Sequence, residues 1–163
     1  MSISDLITGP RPEVSFEFSP PRTAEAEENL WKAIRRLEPL RPSFVSVTYG
    51  AGGTTRERTH ATVKRIVEET ALRPAAHLTC VGTPRAEIDE IVQGYWDNGI
   101  RHIVALRGDM PEMSGPYCAH PDGYASTPKL IEGIRSIAPF EVSVSFYPER
   151  HPDSPSHAHD VEL

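Results

Sequence analysis

Two hydrophobic periodicities alternate along this chain, and they constrain its fold more than any other feature. Val14–Phe18, Phe44–Tyr49, Ala75–Cys80, His102–Arg107 and Glu141–Phe146 are short runs of strand type. Between them lie stretches with apolar residues at helical spacing. Thr23–Leu40 carries Leu30, Ile34 and Leu37 on one face, and a stretch starting near Thr54 carries Val63, Ile66, Val67 and Thr70. The next follows Thr83-Pro84 with Ile88, Ile91, Val92 and Tyr95, and the last opens at Ser126 or Thr127 with Leu130, Ile131, Ile134 and Ile137. Strands alternating with helices predict a parallel sheet with right-handed crossovers.

Local signals support the boundaries. Thr54 and Glu57 have capping-box spacing, and Thr83 with Pro84 reads as a capping hydroxyl before a first-turn proline. Gly99 is a helix stop. Residues 1–13, with Pro10 and Pro12, read as a loose lead-in, and residues 147–163 as a polar segment rich in proline and histidine. No domain boundary interrupts residues 1–163, which are expected to form a single domain.

The strands themselves favour a barrel. In an open doubly wound sheet both faces are buried, so strands are apolar throughout. Here Phe16 and Phe18 alternate with Ser15 and Glu17, Val45 and Val47 with Ser46 and Thr48, Ala76 and Leu78 with His77 and Thr79, and Val142 and Val144 with Ser143 and Ser145. Alternate residues face opposite sides of a strand. One face would pack on helices and the other would be polar, as where a (β/α)8 barrel opens on a ligand site at its strands' carboxyl ends. The alternative is an open, flavodoxin-like parallel sheet of five strands.

Composition narrows the function. The net charge of −6 argues against general nucleic-acid binding. No apolar run approaches the roughly 20 residues of a membrane span, and the N-terminus lacks a signal-peptide pattern, so a cytoplasmic protein is expected. The two cysteines, Cys80 and Cys118, form no CxxC pair, which disfavours a disulfide framework or thiolate zinc site.

Polar groups gather where the strands end: Glu17, Thr48-Tyr49, His77 and Thr79, Arg107-Gly108-Asp109, and Tyr147 with His151. Glu17 stands between two phenylalanines in sequence. An apolar setting would raise its pKa and suit it to general acid work, whereas an arginine partner would make it structural. The glycine-rich Tyr49–Thr55 turn could cradle phosphate or be a plain strand-to-helix turn. Asp109 opens a long segment, Gly108–Ala125, and could bind a polar ring edge, tune a redox cofactor or simply form a turn. His151, Asp153, His157, His159 and Asp160 cluster, but lack a helical metal-ligand frame, so no metal site is expected.

Taken together, these motifs resemble the 5,10-methylenetetrahydrofolate reductases. The resemblance rests on Val14-Ser15-Phe16-Glu17-Phe18-Ser19-Pro20-Pro21-Arg22-Thr23, Val45-Ser46-Val47-Thr48-Tyr49-Gly50-Ala51 with Arg58-Thr59-His60, and His77-Leu78-Thr79-Cys80. It continues in Ala105-Leu106-Arg107-Gly108-Asp109, Tyr124-Ala125 and Tyr147-Pro148-Glu149-Arg150-His151-Pro152. It implies a (β/α)8 barrel that binds FAD and passes a hydride from NAD(P)H to 5,10-methylenetetrahydrofolate, giving 5-methyltetrahydrofolate. In this likeness Glu17 is the general acid, and Asp109 lies near flavin and substrate. Thr48, Tyr49, Ala51, His77, Leu106, Arg107, Gly108, Tyr124, Ala125, Ser145, Tyr147, His151 and Asp160 match FAD-contacting positions. The expected partners are the folate and the nicotinamide, within a homo-oligomer. Two features depart from the family pattern. Ser19 stands where many relatives carry a second aromatic, and five strand-like runs fall short of a barrel's eight. A truncated, non-catalytic flavin-binding or assembly subunit is therefore the second expectation.

Overall fold

The computed structural model describes residues 13–50, 55–109, 118–145, 147, 149–151 and 154–162. The first strand, β1 (Ser15–Phe18), leads into helix α1 (Ala24–Leu37) and a 3-10 turn, Glu38–Leu40. Then come β2 (Phe44–Val47), α2 (Arg56–Glu69), β3 (Pro74–Thr79), α3 (Arg85–Asp97), β4 (His102–Leu106), α4 (Thr127–Ile137), β5 (Glu141–Val144) and a short α5 (His157–Glu162).

All four strand pairings are parallel, and the sheet order is β1-β2-β3-β4-β5. That order decides between the two expected architectures. A flavodoxin-like sheet reverses direction at a switch point, so its strands do not lie in chain order. A sheet built in chain order, each strand joined to the next through a helix, is that of a (β/α) barrel.

The alternation in β2, β3 and β4 sorts their side chains as expected, whereas Val144 on the edge strand β5 is exposed. Val45, Val47, Ala76, Leu78, Ile103 and Ala105 are fully buried in one core with Ile34, Val63, Ile66, Ile88, Val92, Tyr95, Leu130 and Ile134 from the helices. The opposite face carries a row formed by Glu17, Ser46, Ala75, His102 and Glu141, each aligned with its neighbour. One turn of the pleat onward, His77, Val104 and Ser143 form the next row.

Helix ends follow the local chemistry, with two shifts. Thr23 caps α1 by accepting the Ala26 amide at 3.1 Å, and Ser126 caps α4 by accepting that of Lys129 at 3.5 Å. Of the expected Thr54–Glu57 capping box, Thr54 lies outside the described residues. Helix α2 begins after Thr55, whose hydroxyl makes no cap bond. Thr83 does not cap α3 either; it donates to the Val81 carbonyl at 3.2 Å, and Pro84 holds the cap position. Gly99 ends α3 with φ +81°, a conformation that favours glycine.

Candidate active site at the carboxyl ends of the strands

Glu17 projects from β1 onto the polar face. Its Oε2 lies 3.4 Å from the Ser46 hydroxyl on β2 and 3.3 Å from Nε2 of His77 on β3. The flanking phenylalanines point the other way, as strand alternation requires, so the apolar setting anticipated from sequence is not what surrounds the carboxylate. Its side chain is 59% exposed, whereas that of His77 is only 12% exposed. Burial lowers the pKa of His77, and the nearby Glu17 charge partly offsets this. The imidazole is therefore neutral near pH 7, and no fixed cation touches Glu17 from β2 or β3.

Beyond the ends of β3 and β4, the backbone is tightly fitted. The Val81 amide donates to the Arg107 carbonyl at 3.0 Å, and the buried Cys80 thiol lies 3.6 Å from the same oxygen. Gly108 follows with φ +85°. A Cβ there would come within 2.6 Å of Val81 Cγ1 and 2.9 Å of Thr79 Cβ. Only glycine meets both demands. Asp109 emerges from this turn exposed to solvent. Farther along, Tyr147 and His151 stack edge-to-face at 4.7 Å, and the His151 amide donates to Asp160 at 2.7 Å. The Ser154 hydroxyl and that amide hold the Asp160 carboxyl below the usual range.

A sequence profile of the family described as "Methylenetetrahydrofolate reductase" matches residues 2–163. The chain belongs to this family. It is 50% identical over 151 residues to the 5,10-methylenetetrahydrofolate reductase of Pectobacterium carotovorum subsp. carotovorum, covering 93% of this chain and 49% of the relative. The Escherichia coli (strain K12) 5,10-methylenetetrahydrofolate reductase is 50% identical over 148 residues, covering 91% of this chain and 48% of its own length. The Zea mays protein named methylenetetrahydrofolate reductase (NADH) 1 is 36% identical over 146 residues, which is 88% of this chain and 25% of that protein. The chain thus spans about half the length of the bacterial relatives it matches.

Within this methylenetetrahydrofolate reductase-family chain, the residues matched to flavin contacts fall into two groups. Thr48 and His77 lie on the polar face with Glu17, and the Thr48 hydroxyl is 3.5 Å from that of Ser19. Leu106, Arg107, Gly108 and Asp109 continue the end of β4, and exposed Ser145 follows β5. Tyr49 and Tyr124 instead turn their rings into the helix layer. Buried Tyr49 accepts from Arg56 Nε at 3.0 Å, and Arg56 also pairs with Glu87. Tyr124 is 5% exposed and donates to Asp89 at 2.5 Å; burial, then this bond, push its pKa up to about 12. Both phenol oxygens are thus engaged by partners within the protein. Ala125 is exposed beside Tyr124. Ala51 and Asp153 lie outside the described residues.

Several polar residues on or beneath this face were not singled out from sequence. Ser46 touches Glu17, and its signal was present: it shares the two-residue period of Thr48. His102 is 6% exposed with Nε2 2.8 Å from the Ser143 hydroxyl, and Thr59 is fully buried under the end of β2. Their partners lie 41 and 11 residues away in the chain, a separation that periodicity does not reveal.

Proposed function

We propose that the protein reduces 5,10-methylenetetrahydrofolate to 5-methyltetrahydrofolate with NAD(P)H as electron source and FAD as resident cofactor, residues 1–163 supplying five strands of a (β/α)8 barrel. The observation that carries this reading is Glu17 on a polar sheet face, bracketed by Ser46 and neutral His77, in a chain half identical to bacterial reductases of that name.

The residues present fit a flavin. Thr48, Ser145 and Arg107 offer hydroxyl and guanidinium donors for its phosphates and ring carbonyls, Leu106 offers apolar surface, and Gly108 lets the backbone approach closely. Asp109, His77, Tyr147, His151 and Asp160 complete the matched set, with Tyr49, Ala51, Tyr124 and Ala125 contributing main chain. When bound, FAD supplies the two-electron chemistry, and the protein supplies orientation and electrostatics.

Glu17 holds the proton that the substrate needs. A C–N bond of the five-membered ring breaks, its electron pair goes to nitrogen, and Glu17 protonates that nitrogen. The remaining iminium carbon accepts the hydride and becomes the methyl group. This role requires that bound ligands cover the face and exclude water, because a dry setting disfavours the charged form of a carboxyl group. The neutrality of His77 works in the same direction, because an imidazolium at that distance would hold the carboxylate charged.

Glu17→Gln tests the reading. In the protein as its gene encodes it, the variant should still let NAD(P)H reduce the flavin but lose folate reduction by about 100-fold or more. Equal loss of both half-reactions would refute the acid role, and a wild-type protein without flavin absorbance would refute the cofactor.

A further inference from the structure

Three hydrogen bonds tie the end of β2 to the first turns of α2. The Thr59 hydroxyl reaches the Thr48 carbonyl at 2.9 Å. The Thr55 hydroxyl lies 3.3 Å from that of Thr59 and 2.6 Å from the Gly50 amide nitrogen. Thr59 is 0% exposed and Thr55 8%.

Proton counting fixes the direction of every bond. A carbonyl can only accept, so Thr59 spends its one proton on Thr48. Thr59 must then accept from Thr55, and Thr55 must accept from the Gly50 amide. The chain therefore runs Gly50 N–H to Thr55 O–H to Thr59 O–H to Thr48 C=O, with no proton missing and none left over. Bonds aligned head to tail in a dry setting polarise one another. They grip the two peptide groups on either side of Tyr49, whose own ring is held by Arg56.

We propose that Thr59 and Thr55 are positioning residues that preset the Thr48–Gly50 backbone for the flavin. This rests on the cofactor reading above, and it assigns a function to two hydroxyls that touch no ligand. Thr48 presents its own hydroxyl on the polar face, so the placement of its peptide sets where that hydroxyl stands. Tyr49, with its ring turned inward, has only main chain to offer, and that main chain is what the relay fixes.

The test is FAD titration, followed by flavin fluorescence, of the protein as its gene encodes it. Thr59→Val keeps the shape of the side chain but removes the donor to Thr48 and the acceptor for Thr55. It should weaken FAD binding about tenfold or more, while Thr59→Ser, which keeps the hydroxyl, should bind as wild type does. Val63→Ala, in the same helix and equally buried, serves as the stability control. It should lower the melting temperature at least as much as Thr59→Val and leave the FAD dissociation constant unchanged. Wild-type affinity in Thr59→Val overturns the proposal, as does equal weakening in Val63→Ala. Should Thr59→Val not fold, Thr55→Val breaks the same chain one link earlier and carries the same expectation. A wild-type protein that binds no FAD would instead remove the cofactor reading, and this inference with it.

Discussion

Replacing Gly133 with alanine should destabilise the fold, against the usual sign for a glycine inside a helix. On propensity alone the change gains about 1 kcal/mol. The structure opposes it, because a Cβ on Gly133 would lie 1.9 Å from the Tyr124 hydroxyl oxygen and 2.3 Å from its Cζ. The ring is 5% exposed and wedged between α3 and α4, with its hydroxyl on Asp89 at 2.5 Å and Arg85 5.2 Å above its face. Moving it forfeits a hydrogen bond to a charged group, about 1.5–3 kcal/mol, and overpacks the interface at a further cost of about 1–3 kcal/mol. Asp89 keeps 34% of its side chain exposed, so water recovers part of the first loss. The net expectation is a loss of about 2–4 kcal/mol, or roughly 5–15 °C in melting temperature for a chain of this size. Urea denaturation of Gly133→Ala measures it directly. The same substitution in a Tyr124→Leu background, where the clashing atoms are gone, should be neutral or stabilising by about 1 kcal/mol. A Gly133→Ala protein as stable as wild type, or equal effects in the two backgrounds, would refute the reasoning.

The other expectations concern the polar face and its edge. Gly108→Ala combines a strained backbone at φ +85° with a Cβ 2.6 Å from Val81 Cγ1. It should cost about 2 kcal/mol or more in urea denaturation and disturb Asp109 with it; a loss under about 0.5 kcal/mol would contradict the geometry. His102 has its pKa lowered by burial and by Arg73, despite Glu141, from an ordinary value of 6.5. Its folded-state value lies below its unfolded one, so the unfolded state binds more protons and stability falls as pH drops below about 6.5. His60 and His77 act with the same sign. His102→Gln keeps a partner for Ser143 but cannot titrate, so its stability relative to wild type should improve between pH 7 and pH 5. A difference that does not change with pH would count against burial as the cause.

Much of the architecture was legible because strand and helix periodicities report burial directly. Phe18, Val47 and Leu78 on one side and Glu17, Thr48 and His77 on the other could be assigned by counting in twos, and the structure sorts them so. What counting could not supply is which groups meet across strands. Glu17 was expected to be tuned by its sequence neighbours Phe16 and Phe18, yet a strand places nearest neighbours on opposite faces. Its real neighbours are Ser46 and His77, one and two strands away. The short helix His157–Glu162 was also missed, because proline and histidine mask a segment held by Ser156 and by the Asp160 bond to His151. The expected cap at Thr83 failed in the same way, its hydroxyl having found a local backbone partner instead.

The distinction between ring and main chain follows from the same geometry. Tyr49 and Tyr124 match positions that contact flavin in the resemblance, and a reader of sequence would assign that contact to the phenols. In the structure both phenols serve the helix layer, one bonded to Arg56 and the other to Asp89. Tyr49, in the turn after β2, and Tyr124, just before α4, both have this division available: the side chain anchors the segment in the core and leaves the peptide groups for the site. If ligand contact at these positions runs through peptides, Tyr49→Phe should leave flavin affinity nearly unchanged while loosening the Arg56 link. Thr59→Val, which touches neither ring, should damage affinity more. That ordering is opposite to the one expected if the phenols themselves made the contact, and FAD titration of the two variants decides between them.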